Sequence, residues 1–519
     1  MARGNPMVLC GSMVAVVSMA LGPACSTPGV PISVDGMLSD WAGVATLASD
    51  PSGDASGAFD LTSISATSAG TILRLRLDLS NASVNLQDGN AGDGTLRIEI
   101  ARGGSSLTVD MRDRSAYLNG NTGNTIHWTN FAWNQAPTFA SSAYEVSLDL
   151  GPTVGASVGD TISINFSGSD SLSSSASFAL TAPAVPDPVG QLGRPANTGM
   201  RLASLNTLNT GITNGSRGPR LGRVIAGVDA DVYCFCEEYN SNAGQIASEM
   251  AGFFSNGSSW NVAKEGDNAI VSEHPVTQVS TGTSSYAAAL VELPAGPVFV
   301  LCVHLKCCGF VGDSSDNQRV SQAQGVAQLI ADFRAGTVSG GALAAYASAP
   351  VMVTGDWNLV GSRTPLDILE DDVPGPGLVA PAVRHLVGSE TYTWLSSTSS
   401  FWPGRLDLMA YSMEGFRRLQ AYALDTAELD AGQLAQLGAL ASDSAASDHL
   451  MLVADFALTC KSDADGDGVV NLDDIQNVLF SFGQETDPFA CADLDGNGFV
   501  DLVDLQAVLF DFGQLCASW

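Results

Sequence analysis

Alternating hydrophobic and polar residues dominate the first third of the chain. In the run "ILRLRLDL", residues 72–79, the four leucines share one face, and the two arginines and the aspartate share the other. The runs "LRIEIA", "YEVSLDL" and "TISINFS" repeat this period of two. Alternation over short segments is typical of half-buried antiparallel strands, and several such segments at short spacing predict a β-sandwich over residues 30–181.

The pattern changes after residues 182–199, a segment with four prolines that we interpret as a linker. Residues 200–458 combine strongly apolar runs, such as "DVYCFCEE" and "PVFVLCVHLK", with helical spacing. Apolar residues at positions 326, 329, 330 and 333 recur with the period of an α-helix, which predicts a helix over "QGVAQLIADF". This mixture is typical of a large α/β domain.

The last segment, residues 460–519, contains an internal repeat. "DADGDGVVNLDDIQNVLFSFG" begins at Asp463 and returns as "DLDGNGFVDLVDLQAVLFDFG" at Asp493. Both copies match the calcium-loop pattern D-x-[DN]-x-[DN]-G, in which oxygen ligands recur along the loop and a glycine makes the turn. The expected Ca²⁺ ligands are the side chains of Asp463, Asp465, Asp467, Asn471, Asp474, Asp493, Asp495, Asn497, Asp501 and Asp504.

Each of these loops runs directly into an apolar helical pattern, with no helical pattern before it. The repeat therefore resembles a dockerin-type module, a pair of loop–helix calcium repeats, and the resemblance implies a protein docking partner. A purely structural calcium clip is the alternative. Twelve acidic residues and one lysine lie in this segment, so repulsion should oppose its folding until calcium binds.

The composition of the chain indicates where the protein is located and which partners it can bind. The chain has 54 acidic residues against 22 lysines and arginines, a net charge of −32, and repels phosphate backbones unless cations or a local basic groove intervene. Residues 1–25 are typical of a signal peptide, with Arg3, an apolar stretch over 7–21 and small residues after it. With ten cysteines and no transmembrane pattern after the signal, we expect a secreted or cell-surface-associated protein.

Polar residues recur inside or at the ends of the apolar runs of the middle domain. They are Asn206, Glu237, His304, Asp356, Asn358, Asp407, Asp448 and His449. A local turn, or a hydrogen-bonded position in the core, would explain each of these residues alone. The repeated placement of polar residues in or at the ends of apolar runs in one domain favours a shared site. The isolated interpretation is kept for His127, His274 and His385, and Trp394 is expected to be core packing.

The short sequence motifs around these residues, taken in this order, resemble those of the endonuclease/exonuclease/phosphatase superfamily, which has a DNase-like fold. The resemblance spans nearly all of residues 200–458 and implies two packed sheets with helices outside, and metal-assisted hydrolysis of a phosphodiester or phosphomonoester. The expected fold class is thus multidomain: a β-sandwich, a four-layer α/β sandwich and a small α-helical pair of calcium loops.

The resemblance also implies roles. Carboxylate and amide oxygens suit Mg²⁺ or Mn²⁺, and the expected ligands are Asn206, Glu237 and Asp448. The expected catalytic residues are His304, Asp356, Asn358, Asp407 and His449. In that scheme Asp356 orients or deprotonates the attacking water and Asn358 holds a phosphoryl oxygen. His304 and His449, the latter oriented by Asp407, support the phosphate and the leaving group.

Three positions depart from the superfamily pattern: Leu205 replaces a common tryptophan, Cys236 a glutamine and Glu273 an arginine. None removes an expected ligand. With 13 basic and 26 acidic residues in 200–458, a grip on long nucleic acid would need a local basic cluster. The candidates are Arg220, Arg223, Lys264, Lys306, Arg319 and Arg405. An extracellular nuclease is the preferred function; a phospholipid or small-phosphoester hydrolase of the same fold, and a non-catalytic binding or scaffold protein, are the alternatives.

The first domain opens with "ISVDGMLSDWAGVA", which resembles the start of ninth-family carbohydrate-binding modules and implies a glycan contact. Sugar binding would need exposed aromatic side chains, and the tryptophans of this region are Trp41, Trp128 and Trp133. Trp41 is expected to be a core plug at the entry to the first strand. A structural or attachment sandwich is the alternative.

Overall fold

The computed structural model describes residues 32–82, 84–87, 94–183, 189–254, 257–373, 377–484, 492–495 and 499–516. The predicted signal peptide and the predicted calcium ligand Asn497 lie outside these residues.

The first half of the fold consists of two antiparallel sheets. Its strands are β1 (Thr46–Ser49), β2 (Leu61–Ala69), β3 (Ile72–Leu79), β4 (Leu96–Arg102), β5 (Ser105–Asp110), β6 (Ser115–Leu118), β7 (Thr125–Ile126), β8 (Asn134–Ala136), β9 (Ala143–Asp149), β10 (Thr161–Gly168) and β11 (Ala176–Ala179). One short helix, α1 (Gly151–Val154), follows β9. The strand orders are β1-β2-β3-β9-β8 and β11-β10-β4-β5-β6-β7.

Both sheets contribute to a single hydrophobic core, as the alternation predicts. Leu73 and Leu75 of β3 are fully buried and share a cluster with Ile98 of β4. Arg74 is predicted to face outward but is only 5% exposed. The reason is a contact that no local pattern shows: its Nη2 donates to Ser389 Oγ at 2.7 Å, from far along the chain.

The second half is built around two six-stranded sheets. Its strands are β12 (Met200–Asn206), β13 (Val232–Cys236), β14 (Asn261–Glu265), β15 (Asn268–Ser272), β16 (Val276–Val279), β17 (Tyr286–Leu293), β18 (Gly296–His304), β19 (Val351–Asp356), β20 (Leu378–Val379), β21 (Asp407–Ser412), β22 (Gly415–Leu424) and β23 (Met451–Thr459). Its helices are α2 (Gly218–Val228), α3 (Ala243–Phe253), α4 (Ser314–Arg334), α5 (Thr364–Asp371) and α6 (Ala431–Leu437). The helix predicted over 324–333 lies within α4 and is confirmed.

These elements stack as helix, sheet, sheet and helix. One sheet has the order β14-β15-β13-β12-β23-β22 and the other β16-β17-β18-β19-β21-β20. A core between the sheets joins residues such as Leu202 and Val300. On the outer faces, Ile225 of α2 belongs to one further cluster and Ile330 of α4 to another. The arrangement is consistent with a DNase-like α/β sandwich.

Strand direction gathers the polar strand ends at one edge. β12 pairs in parallel with β13, and β18 with β19, so each pair ends at one edge of its own sheet. The two edges lie together, because Asn206 Nδ2 at the end of β12 donates to Asp356 Oδ2 at the end of β19 at 3.0 Å. β21 and β23 run antiparallel to β19 and β12, so they begin where the other four end. Residues that finish the first four strands and residues that start or precede the last two therefore converge.

The C-terminal segment contains two helices, α7 (Leu472–Ser481) and α8 (Leu502–Phe510). Their buried faces meet in a small core that includes Val478 and Val508. A disulfide joins Cys460 to Cys516 across this segment. Among the helices of the described part of the chain, none is long and apolar enough to cross a membrane.

Candidate active site

Strand register places three predicted site residues side by side. His304, the last residue of β18, is the register partner of Asp356, the last residue of β19. Asp356 is in turn the partner of Asp407, the first residue of β21. Backbone pairing alone therefore fixes a histidine and two aspartates in one row at the edge of the sheet.

Two carboxylate–histidine pairs converge on Asp356. His304 Nδ1 lies 2.6 Å from Asp267 Oδ2, and His449 Nδ1 lies 2.7 Å from Asp407 Oδ2. The opposite ring nitrogens, Nε2 of both histidines, each lie 3.7 Å from Asp356 Oδ2. These last distances are too long for hydrogen bonds, so each Nε2 can donate to a ligand while its ring stays anchored by a carboxylate.

The neighbouring carboxylates hold both histidines in the charged form. Burial acts to lower the pKa of His304, but the hydrogen bond to Asp267 and the charge of Asp356 outweigh it and raise the pKa to about 9. Burial opposes the same change in His449, where Asp407 and Asp356 raise the pKa to about 10. At neutral pH the edge thus presents two imidazolium groups, a suitable environment for an anionic phosphoryl group.

Asp356 is a buried carboxylate, 2% exposed. Burial raises its pKa to about 6, against the opposing charge of His449. It accepts hydrogen bonds from the backbone N–H of Asn358 at 3.0 Å and from Asn206 Nδ2 at 3.0 Å. A fixed carboxylate with a pKa just below neutrality is well suited to take a proton.

Gly355 allows β19 to deliver Asp356 at this position. Its φ of 138° lies in a region that other residues rarely adopt, and a Cβ there would come within 2.1 Å of the carbonyl oxygen of Val303. Two site residues on adjoining turns, Glu237 and Asn358, also have positive φ, at 64° and 50°. Non-glycine residues in this conformation are uncommon and occur preferentially at functional sites.

The two adjacent glutamates after β13 have different surroundings. Glu238 is fully buried and accepts hydrogen bonds from Thr207 Oγ1 at 2.7 Å and from the N–H of Ile212 at 2.9 Å, so it fixes the loop after β12. Glu237 is partly exposed and accepts from Asn206 Nδ2 at 3.1 Å and from the N–H of Asn209 at 2.8 Å. Of the two glutamates, only Glu237 therefore directs its carboxylate at the edge where the strand ends converge.

The converging residues line a cavity of about 520 Å³. Of the eight predicted site residues, the lining includes Glu237, His304, Asp356, Asn358, Asp448 and His449. Asn206 and Asp407 lie directly behind it, bonded to Asp356 and His449. The expectation that Trp394 is core packing is wrong, because it lines the cavity and its Nε1 donates to Asp448 Oδ2 at 3.1 Å.

The charge of the cavity fits a divalent cation. Its lining carries four carboxylates, those of Glu237, Asp267, Asp356 and Asp448, against the two charged histidines and Lys306. Glu237 and Asp448 are the partly exposed members. Among the described residues of this edge, possible ligand atoms of Asp356, Asp407 and His449 also lie within 4.8 Å of one another.

Asn206 directs its amide nitrogen at the carboxylates of the site. Its Oδ1 accepts from the N–H of Leu208 at 3.0 Å, and its Nδ2 donates to Glu237 and Asp356. In this geometry Asn206 positions two carboxylates, whereas the predicted ligand role would need its oxygen.

Sequence reasoning missed Asp267. It lies in the turn between β14 and β15, where an Asp after a glycine reads as an ordinary hairpin turn. In the structure it is 8% exposed, lines the cavity and anchors His304. No local signal marks it, since its importance depends on the packing of one sheet against the other.

Six of the ten predicted calcium ligands form two separate acidic clusters. Ligand atoms of Asp463, Asp465 and Asp474 lie within 4.8 Å of one another, as do those of Asp493, Asp495 and Asp504. Asn471 and Asp501 accept from backbone N–H groups of residues 473 and 503 at 2.7 Å and so act as N-caps of α7 and α8. Asp467 lies beside Asn471, and Asn471 Nδ2 donates to Asp467 Oδ2 at 3.3 Å.

Comparisons with known proteins found structural likenesses only. No family model and no curated protein matches it. TDP2 from D. rerio, complexed with single strand DNA product, covers 50% of this chain and 98% of its own at 14% identity and a TM-score of 0.34. ANGEL2, a 2',3'-cyclic phosphatase, covers 51% and 99% at 17% identity and a TM-score of 0.33. An endonuclease/exonuclease/phosphatase family protein from Leptotrichia buccalis covers 50% and 99% at 10% identity and a TM-score of 0.33. At these values the function has to be argued from the cavity itself.

Proposed function

We propose that this protein is a secreted, metal-dependent phosphoesterase that cleaves phosphodiester bonds, with the reaction centred on Asp356. The observation that carries the proposal is the convergence of two carboxylate-anchored histidines on one buried aspartate at the edge of a cavity. A cationic pair around a proton acceptor matches what hydrolysis of a phosphoester requires: a base for water and positive groups for the phosphoryl oxygens.

The residues divide the work as follows. Asp356, held by Asn206 and by the N–H of Asn358, takes the proton of the attacking water. His304 and His449 donate from Nε2 to phosphoryl oxygens, and one of them supports the leaving oxygen. Asp267 and Asp407 keep the rings oriented and charged.

Glu237 and Asp448 are the residues we propose to hold Mg²⁺ or Mn²⁺, because their partly exposed carboxylates line the cavity. When bound, such an ion polarises the phosphoryl oxygens and offsets the acidic surroundings. A Glu237→Gln variant should need about tenfold more metal for half-maximal activity, while Glu249→Gln on the exposed side of α3 should not. Activity titrated with Mg²⁺ measures this, and an unchanged metal requirement would remove Glu237 from the site.

The cavity is better suited to a single strand or a small phosphodiester than to duplex DNA. The predicted basic cluster does not gather at the cavity. Arg223 pairs with Asp443, and Arg319 is fully buried, where its Nη2 lies 3.4 Å from Asp316 Oδ1. Of the six candidates, Lys306 is the one in the lining. A nuclease that takes single strands is therefore our first proposal, and a small phosphodiester with an apolar group is the second, favoured by aromatic lining residues such as Tyr239 and Phe401.

The tail is proposed to bind Ca²⁺ through its two acidic clusters and to dock onto a partner protein. Calcium well above its dissociation constant, about 100-fold, should stabilise the segment by about 2.7 kcal/mol. We expect a calcium-dependent rise in its melting temperature in the full chain, lost in Asp463→Asn/Asp493→Asn and kept in the exposed control Asp473→Asn. An equal shift in all three proteins would argue against these sites.

For the first domain, glycan binding remains a proposal with less support than a structural role. Trp41, Trp128 and Trp133 are 7% exposed or less, so none of them offers a platform for a sugar ring. Trp41 is buried, as expected of a core plug, and its Nε1 donates to Glu145 Oε1.

A further inference from the structure

The cavity has a wall that the phosphoesterase half of the chain does not supply. Asn85 and Gln87, after β3, and Gln135 and Thr138, in and after β8, line it together with the catalytic residues. All four belong to the N-terminal sandwich. We call these residues the sandwich wall. Two halves of the molecule therefore bound the space in which the reaction is proposed to occur.

Hydrogen bonds join the sandwich wall to the phosphoesterase half. Asn85 Nδ2 donates to the carbonyl of Val360 at 2.8 Å, and Thr138 Oγ1 donates to the carbonyl of Arg405 at 3.1 Å. Gln87 Oε1 accepts from the N–H of Trp402 at 2.9 Å. Each bond connects a wall side chain to backbone, so the wall is tied to the segments that follow β19 and precede β21.

Trp402 anchors this junction. It is 5% exposed and belongs to the hydrophobic core of the sandwich, although it lies just before β21. Its ring centroid is 4.9 Å from that of Trp133 and 6.2 Å from that of Phe131. Removing the sandwich from the cavity would expose this buried aromatic cluster, which opposes separation of the two halves.

Gln135 stands out within the sandwich wall. It is 2% exposed, yet its Oε1 has no hydrogen-bond partner among the described residues. A buried polar atom without a partner costs stability unless something pairs with it. Because Gln135 lines the cavity, a bound substrate could provide that partner. Nearby, Phe401 also lines the cavity and remains 42% exposed, although the Arg114 guanidinium lies over its ring at 4.1 Å from the centroid. A planar group would therefore contact the part of the ring that Arg114 leaves uncovered.

We propose that the sandwich wall is part of the substrate site: Gln135 pairs with the group attached to the phosphate, Phe401 contacts its planar face, and the hydrogen-bonded junction closes one exit of the cavity. The middle of a continuous polymer needs exits on both sides, whereas a strand end or a small phosphodiester needs one. The enzyme should therefore act on phosphodiesters at strand ends or on nucleotide-sized molecules. This inference rests on the proposed phosphoesterase function.

A length-matched substitution tests the role of Gln135. Gln135→Met removes the amide and keeps the chain length, so a site role predicts about a tenfold higher KM, from the loss of one hydrogen bond, with kcat little changed. Its melting temperature should not fall, because the unpaired oxygen is gone. Gln328→Met on the exposed face of α4 is the control and should match the native enzyme. An unchanged KM would overturn the proposed contact.

The closed exit is tested with two forms of one DNA sequence, a linear single strand and its covalently closed circle, beside bis(4-nitrophenyl) phosphate as a small diester. We expect cleavage of the linear strand and of the small diester under conditions that leave the circle intact. Cleavage of the circle as fast as the linear strand would overturn the inference and leave the phosphoesterase standing. Failure on all three substrates would instead contradict the proposed function.

Discussion

Replacing Asp356 with asparagine should lower kcat for phosphodiester hydrolysis by about 10²- to 10⁴-fold, the range expected for loss of a general base. Asparagine keeps the volume and can still accept from Asn358 N–H, so the fold should be preserved. What is lost is the charge that takes the proton and faces both histidines. The measurement is steady-state kinetics on a small diester, together with thermal unfolding of the same samples.

A matched control separates the charge of Asp356 from the general effect of an Asp-to-Asn change. Asp313 is the N-cap of α4, where it accepts from the N–H of Asp316, and asparagine is an equally good N-cap. Asp313 does not appear among the residues that line the cavity. Asp313→Asn should therefore be as active and as stable as the native protein. Activity of Asp356→Asn within a few-fold of this control would remove Asp356 from the centre of the reaction.

His449→Gln should lower kcat by about 10²- to 10³-fold, the usual cost of losing one group that stabilises transition-state charge. Glutamine fits the space but has no charge, and it cannot reproduce the anchored geometry between Asp407 and Asp356. Asp407→Asn should have a smaller effect in the same direction, since the ring remains and only its orientation and pKa change. The measurement is kcat of both variants on one substrate, and we expect the larger loss in His449→Gln.

The control for histidine is His274→Gln. His274 is only partly buried, follows β15 and does not line the cavity. It should leave kcat and KM unchanged. If His449→Gln behaved like His274→Gln, the convergence of the two histidines on Asp356 would be a structural feature of the sheet edge rather than a catalytic one.

Most of the candidate site residues could be predicted from the sequence because they lie at the ends of strands. Asn206, His304 and Asp356 each end an apolar run, and a run that ends in a polar residue at a sheet edge is a local signal. Parallel pairing of β18 with β19 then places His304 beside Asp356, whereas Asn206 joins them only because the sheet that contains β12 packs against theirs. The sandwich strands followed for the same reason, since a period of two fixes which leucines face inward.

The remaining features depend on contacts between distant segments. Asp267 looks like a turn residue and becomes important only when its sheet packs against the one that carries His304. Trp402 enters the sandwich core from far along the chain, and Gln135 reaches the cavity from the other half. Periodicity and spacing describe one segment at a time, so neither could show that the two halves share a site.

The most direct test of the central claim uses the full chain and two small changes. Bis(4-nitrophenyl) phosphate and a linear single-stranded oligonucleotide are offered to the native protein with Mg²⁺, with EDTA, and to Asp356→Asn with Mg²⁺. We predict turnover by the native protein that EDTA abolishes and added metal restores, and near-complete loss in Asp356→Asn. No turnover of either substrate, or turnover indifferent to both EDTA and Asp356→Asn, would contradict a metal-dependent phosphoesterase centred on Asp356.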